Sequence, residues 1–130
     1  MLAIDPTKDR KEIVARVDKG RKPEEQTIFV CRPLSVYEDA AVNDLTRFGK
    51  SGELQLNTQQ KNVLAFRLGL VEVRNLQGPE GKEVKLEREE TPWGLAASEG
   101  FLSRVPPKVV KEIGEAIRDM SSPSEDELGN

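Results

Sequence analysis

The run Thr27-Ile-Phe-Val-Cys31, closed by Pro33 and followed by Ser35-Val-Tyr-Glu38, constrains this chain more than any other stretch. Consecutive β-branched and aromatic residues suit the pleated, half-buried surface of a strand. Pro33 cannot donate to a sheet ladder, so the strand ends at Arg32. Ser35 and Glu38 then stand at capping-box spacing, in which the hydroxyl accepts from the Glu38 amide while the carboxylate reaches back to the Ser35 amide. A helix is therefore expected to begin at Val36, directly behind a strand.

Along that helix Tyr37, Ala40, Ala41, Leu45 and Phe48 recur at spacings of three and four, a single apolar stripe that Gly49 closes. Residues 50–57 read as a loop. Asn57 or Thr58 is placed to cap a second helix, over 58–70, whose apolar positions Val63, Leu64, Phe66, Leu68, Leu70 and Val71 cover more than one face, as in a buried element. Val71 and Val73 alternate with charged neighbours, as do Val84 and Leu86. Between these runs Gly78, Pro79, Glu80 and Gly81 supply tight-turn chemistry, so the pattern predicts a β-hairpin pairing 71–76 with 83–88. Thr91-Pro-Trp-Gly94 breaks the chain again, and 98–104 has room for one helical turn carrying Phe101 and Leu102. Pro106 and Pro107 suit the first turn of a last helix, 107–120, with Val109, Val110, Ile113, Ala116, Ile117 and Met120 on one side.

These elements predict an α+β fold, a small antiparallel sheet of one N-terminal strand plus a hairpin packed by about three helices. The chain's 130 residues suffice for one domain with one core. That core must be lean and aliphatic, because apolar residues make up 36% and the aromatics are one Trp, one Tyr and four Phe. The single domain is expected over 26–120. Residues 1–25 read as a flexible arm, in which Ile13, Val14 and Val17 are spaced for a short helical face, and residues 121–130 as a disordered acidic tail containing Glu125, Asp126 and Glu127.

Composition also removes whole classes of chemistry. There is no histidine, so a serine or cysteine nucleophile lacks its usual base, and Cys31 lies within the strand run, where a buried inert thiol is the expectation. One cysteine without histidine cannot assemble a zinc site, and no calcium-loop spacing occurs. Glu24-Glu25, Glu89-Glu90 and the acidic tail sit in hydrophilic stretches, where solvated patches are expected rather than paired catalytic acids. Gly78-Pro-Glu-Gly-Lys82 lacks the spacer and the following Ser or Thr of a nucleotide loop. A net charge of −3 with finely mixed signs argues against general nucleic-acid binding, and Lys19 to Lys22 is one short basic cluster among acids. The opening residues carry no secretory pattern, and the most apolar candidate span, 63–73, is interrupted by Arg67 and Glu72. Neither enzyme, metal, cofactor nor membrane is expected, and a reducing cytoplasm is the expected setting.

The stretch from Glu25 to Ser35, the segment Leu68-Gly-Leu-Val-Glu-Val-Arg-Asn-Leu-Gln-Gly-Pro-Glu-Gly-Lys-Glu-Val, and the run from Val105-Pro-Pro-Lys-Val-Val to Ser122-Pro-Ser-Glu-Asp-Glu-Leu resemble small virion-morphogenesis proteins of tailed bacteriophages. Over 25–130 the likeness is to tail assembly chaperones, with Val73 standing where that group usually carries an aromatic. The resemblance implies a non-enzymatic protein of the host cytoplasm that binds the tape measure protein and tail tube subunits during tail polymerisation. It brings no catalytic residues. A virion structural subunit (connector, tail terminator or baseplate component) that contacts neighbouring subunits in the particle is the alternative, and homo-oligomers fit either reading. For the contact surface, the apolar face of the last helix can either pack into the chain's own core or dock into another protein. The docking reading places partner contacts at Phe101, Leu102, Val109, Val110, Ile113, Ile117 and Met120.

Overall fold

The expected strand Ile28–Cys31 (β2) is the centre of a three-stranded antiparallel sheet in the computed structural model, which describes residues 5, 7–44, 54–78 and 80–121, and in 54–58 the backbone alone. Its neighbours are Lys11–Ile13 (β1) and Leu70–Arg74 (β3), in the order β1-β2-β3. Helices Val36–Asp44 (α1) and Leu54–Gly69 (α2) lie between β2 and β3 in the chain. A separate hairpin of Arg88–Thr91 (β4) and Gly94–Ala97 (β5) follows, then the single turn Glu99–Leu102 (α3) and the helix Pro107–Ser121 (α4). The α+β class with a small antiparallel sheet is thus observed.

Register divides the sheet into two faces. Ile13, Phe29 and Val73 stand in one row and face the core, where the Phe29 ring meets Phe66 edge-on at 6.1 Å. Glu12, Val30 and Glu72 form the next row on the opposite face. There Arg74 bridges Glu12 at 2.7 Å and Glu72 at 3.2 Å, and Val30 between the two carboxylates is left only 6% exposed. The main core collects Phe29, Cys31, Leu34, Val42, Leu64 to Phe66, Leu68, Leu70, Ala96, Ala97, Phe101 and the inner face of α4.

The junction after β2 forms as its spacing requires. The Ser35 amide donates to Glu38 Oε1 at 2.9 Å and the Glu38 amide to Ser35 Oγ at 3.3 Å. Arg32 adds a two-pronged bond to the same carboxylate, 2.7 Å on each side, and donates to the Leu68 carbonyl near the end of α2 at 3.0 Å. The strand, α1 and α2 are thereby tied at one guanidinium, whose planar fork matches a carboxylate.

Four sequence expectations are corrected. Residues 11–25 are not without sheet structure: β1 pairs with β2, Ala15 is buried, and two 3₁₀ turns follow in place of a helical face. The short KEI strand has no alternating apolar signature and is recruited by β2's open edge. The Tyr37 stripe of α1 faces outward, since Tyr37 is 87% exposed and Val42 1% exposed. The Arg32–Glu38 fork sets the helix rotation, turning Glu38 and Val42, one turn apart, toward the protein. The second helix starts at Leu54 instead of 58, absorbing the proposed caps, because Leu and Gln are good helix formers. Finally, β3 pairs with β2 rather than with 83–88. The 77–83 turn keeps one bridge, Gln77 with Glu83, and a Val84 amide bond to the Leu76 carbonyl at 2.6 Å. The true hairpin turns at Pro92-Trp93, where Gly94 adopts φ +113°, a conformation that favours glycine, and Thr91 Oγ1 donates to the Gly94 carbonyl. The expectations at Leu45, Phe48, Gly49 and 122–130 lie outside the described residues.

Candidate functional site: a charged groove beside an exposed tryptophan

Most of the apolar face of α4 is buried. Phe101, Val109, Val110, Ile113 and Ile117 are buried in the chain's own core, and Leu102 and Met120 pack half-buried against it. The reason is the closeness of α2 and α4. A Cβ on Gly114 would sit 2.2 Å from the Asn62 carbonyl oxygen, and one on Gly69 would sit 2.5 Å from Ile117 Cγ2. With no side chain between them, the two helices meet backbone to backbone, and the apolar stripe of α4 is consumed by that contact. Core packing therefore replaces the docking placement at Val110, Ile113 and Ile117, whereas Phe101 and Val109, also largely buried, line the clefts of the surface described next.

Another surface takes over as the candidate. A cleft of about 500 Å³ has a floor of Ala15, Phe29, Leu76 and Val109 and a rim of Asp18, Arg21, Glu24, Glu25, Gln77 and Arg104. A second cleft of about 330 Å³ is bounded by Glu83, Val84, Lys85, Glu87, Gly100, Phe101 and again Arg104. The Gln77–Glu83 turn walls both clefts on one side, and the α3–α4 corner walls both on the other. Arg104 lines both, so the two clefts are neighbours and together make the candidate groove.

Local chemistry fixes the walls. Asn75 takes the left-handed conformation, φ 60°, which asparagine tolerates better than most residues. Its Nδ2 donates to the carbonyls of Glu24 at 2.9 Å and Gln26 at 3.1 Å, while Thr27 Oγ1 donates to the Asn75 carbonyl. Asp18 accepts from the Thr27 amide and pairs with Arg21 at 3.4 Å. On the far side the Glu112 carboxylate accepts from the Arg16 amide, anchoring the first 3₁₀ turn to α4. Sequence reasoning passed over this groove because its walls come from 15–29, 75–87 and 100–109; the only local hint was an Arg104 with no acidic residue one turn away.

Elsewhere, Trp93 is 42% exposed at the hairpin tip beside a notch lined by Gln59, Gln60, Val63, Leu64 and Arg67, and Leu95 is 58% exposed on β5. Arg67 reaches back to Glu89 at 2.7 Å and to the Ala97 carbonyl, pinning the hairpin on α2. Burial pushes the Cys31 thiol up to about 12, with Lys11 a weaker opposing influence, so it stays protonated at neutral pH. Asn62 is fully buried, its Oδ1 accepts from Arg118 at 2.8 Å, and its Nδ2 has no partner among the described residues. Lys61 beside it is held below the ordinary lysine value by partial burial and then by the Arg118 charge. Among the described residues no three His, Cys, Asp or Glu side chains gather as a metal-holding cluster, and no helix is long and apolar enough to cross a membrane. Compared with protein-family models, curated proteins and solved structures, the chain matches none.

Proposed function

We infer that this chain is a non-enzymatic protein-binding module of tailed-phage morphogenesis, a tail assembly chaperone that engages the tape measure and tail tube proteins transiently. The observation that carries the binding part is the groove: an apolar floor ringed by charges of both signs is the arrangement of a receptor for another protein's side chains. The exposed Trp93 supports it, since aromatic residues are common anchors in such contacts. The phage assignment rests on the resemblance over 25–130.

Two measurements test the reading. Co-expression with the tape measure protein should give a complex that Arg104→Glu weakens, and absence of any complex with tape measure or tube protein would reject the chaperone role. Mass spectrometry of purified particles should find the chain missing or at trace level. A fixed stoichiometry in the particle would establish the virion-subunit alternative instead.

A further inference from the structure

Resting on the protein-binding reading, the charges of the groove say what kind of segment it takes. Arg104 stands at the junction of the two clefts, exposed, and its guanidinium has no hydrogen-bond or ion-pair partner among the described residues. On one side of it the rim carries Glu24 and Glu25, and on the other Glu83 and Glu87, four carboxylates that likewise have no side-chain partner among the described residues. The two remaining rim cations do not cancel them. Arg21 is already paired with Asp18, and Lys85 faces two carboxylates in its own cleft. The groove therefore presents negative, positive and negative charge in sequence, with apolar floors at Phe29 and Leu76 on one side and at Val84 and Phe101 on the other.

We propose that this groove receives an extended segment of a partner protein that carries a carboxylate at its middle, over Arg104, and basic side chains toward both ends. An extended chain advances about 3.3 Å per residue with side chains alternating between faces, so one face can fill the two clefts with apolar groups. Opposite charges at three points fix register and direction and reject segments of the inverse pattern. The central ion pair lies at an exposed guanidinium, so binding weakens as salt rises.

The test is selection of a displayed random dodecapeptide library against the wild-type chain and against Arg104→Glu, with Glu83→Lys/Glu87→Lys as a second variant. All substituted side chains are exposed, and circular dichroism verifies each fold. Wild type should enrich peptides with a central Asp or Glu flanked by Lys or Arg. Arg104→Glu should raise the Kd of a wild-type-selected peptide about tenfold or more and enrich peptides with a basic centre. The Glu83→Lys/Glu87→Lys variant should enrich an acidic residue at one end. Amide shifts on binding should fall at 24–29, 75–87 and 100–106. Peptides that lack this charge order, or that bind both variants equally, would overturn the proposal. Shifts at Gln59, Val63 and Trp93 would move the site to the tryptophan notch while leaving the protein-binding reading in place. No enrichment by any form would reject the groove as a peptide receptor, and the co-expression result would then stand alone as the test of the broader reading.

Discussion

Gly114 is the residue whose substitution tests the packing most sharply, because local propensity and tertiary contact predict opposite signs. In the interior of α4, Gly→Ala alone would stabilise the helix by about 1 kcal/mol. The added methyl, however, would lie 2.2 Å from the Asn62 carbonyl oxygen and 2.8 Å from its carbon, against a comfortable separation of about 3.5 Å. Those are backbone atoms in the middle of α2, so relief requires the helices to part by about 1 Å. A gap of that size forfeits roughly a quarter to a half of the dispersion contact along the seam. Ile113 and Ile117, both fully buried there, are each worth about 1.5–3 kcal/mol when packed. Set against the propensity gain, this leaves an expected net loss of about 1 kcal/mol, at the low end of the usual range for overpacked cores. For a chain of 130 residues the unfolding entropy is about 0.27 kcal/mol/K, so Tm should fall by about 4 °C. Gly20→Ala is the control, since nothing lies within 4 Å of its added methyl, and its Tm should be unchanged or slightly raised. Thermal unfolding of both variants by circular dichroism decides the matter. A Gly114→Ala protein as stable as wild type would refute the backbone contact between α2 and α4.

The Glu38 carboxyl is raised by burial, but the Arg32 fork and the Ser35 amide overcome that and hold it below the usual carboxylate range. Its contribution is therefore present above the unfolded glutamate value of about 4.3 and lost as pH falls through the lower folded one, so Glu38→Gln should flatten the acid limb of a stability–pH curve. Glu38→Ala, which also removes the cap on α1, should cost about 2–3 kcal/mol in urea denaturation. Cys31 should resist alkylation in the native state at pH 8 and label fully in denaturant, and rapid native labelling would contradict its burial. Ile113→Ala should cost about 2–5 kcal/mol without changing groove binding per folded molecule, whereas a binding defect at full stability would return α4 to the contact surface. Arg74→Ala, at a half-exposed pair of solvent-screened bridges, should leave the thermal unfolding curve close to that of wild type.

The sequence by itself determined β2, the Ser35–Glu38 cap, the entry to α4 behind Pro106, the helical turn after Ser98 and the stripe on α4. Each of these is settled by groups within about four residues of one another: a hydroxyl and an amide, a missing N–H, side chains one turn apart. What only the tertiary structure decided is which surface meets which. Lys11–Ile13 is a strand because β2 offers an open edge, and α1 turns Val42 rather than Tyr37 inward because Arg32 holds Glu38. The stripe on α4 was legible, but its fate was not, since Gly114 and Asn62 are 52 positions apart and only their contact commits that face to the core. Arg104 belongs to the same class. Its place between two clefts depends on a turn at 77–83 and a corner at 100–106, whose meeting no local pattern encodes.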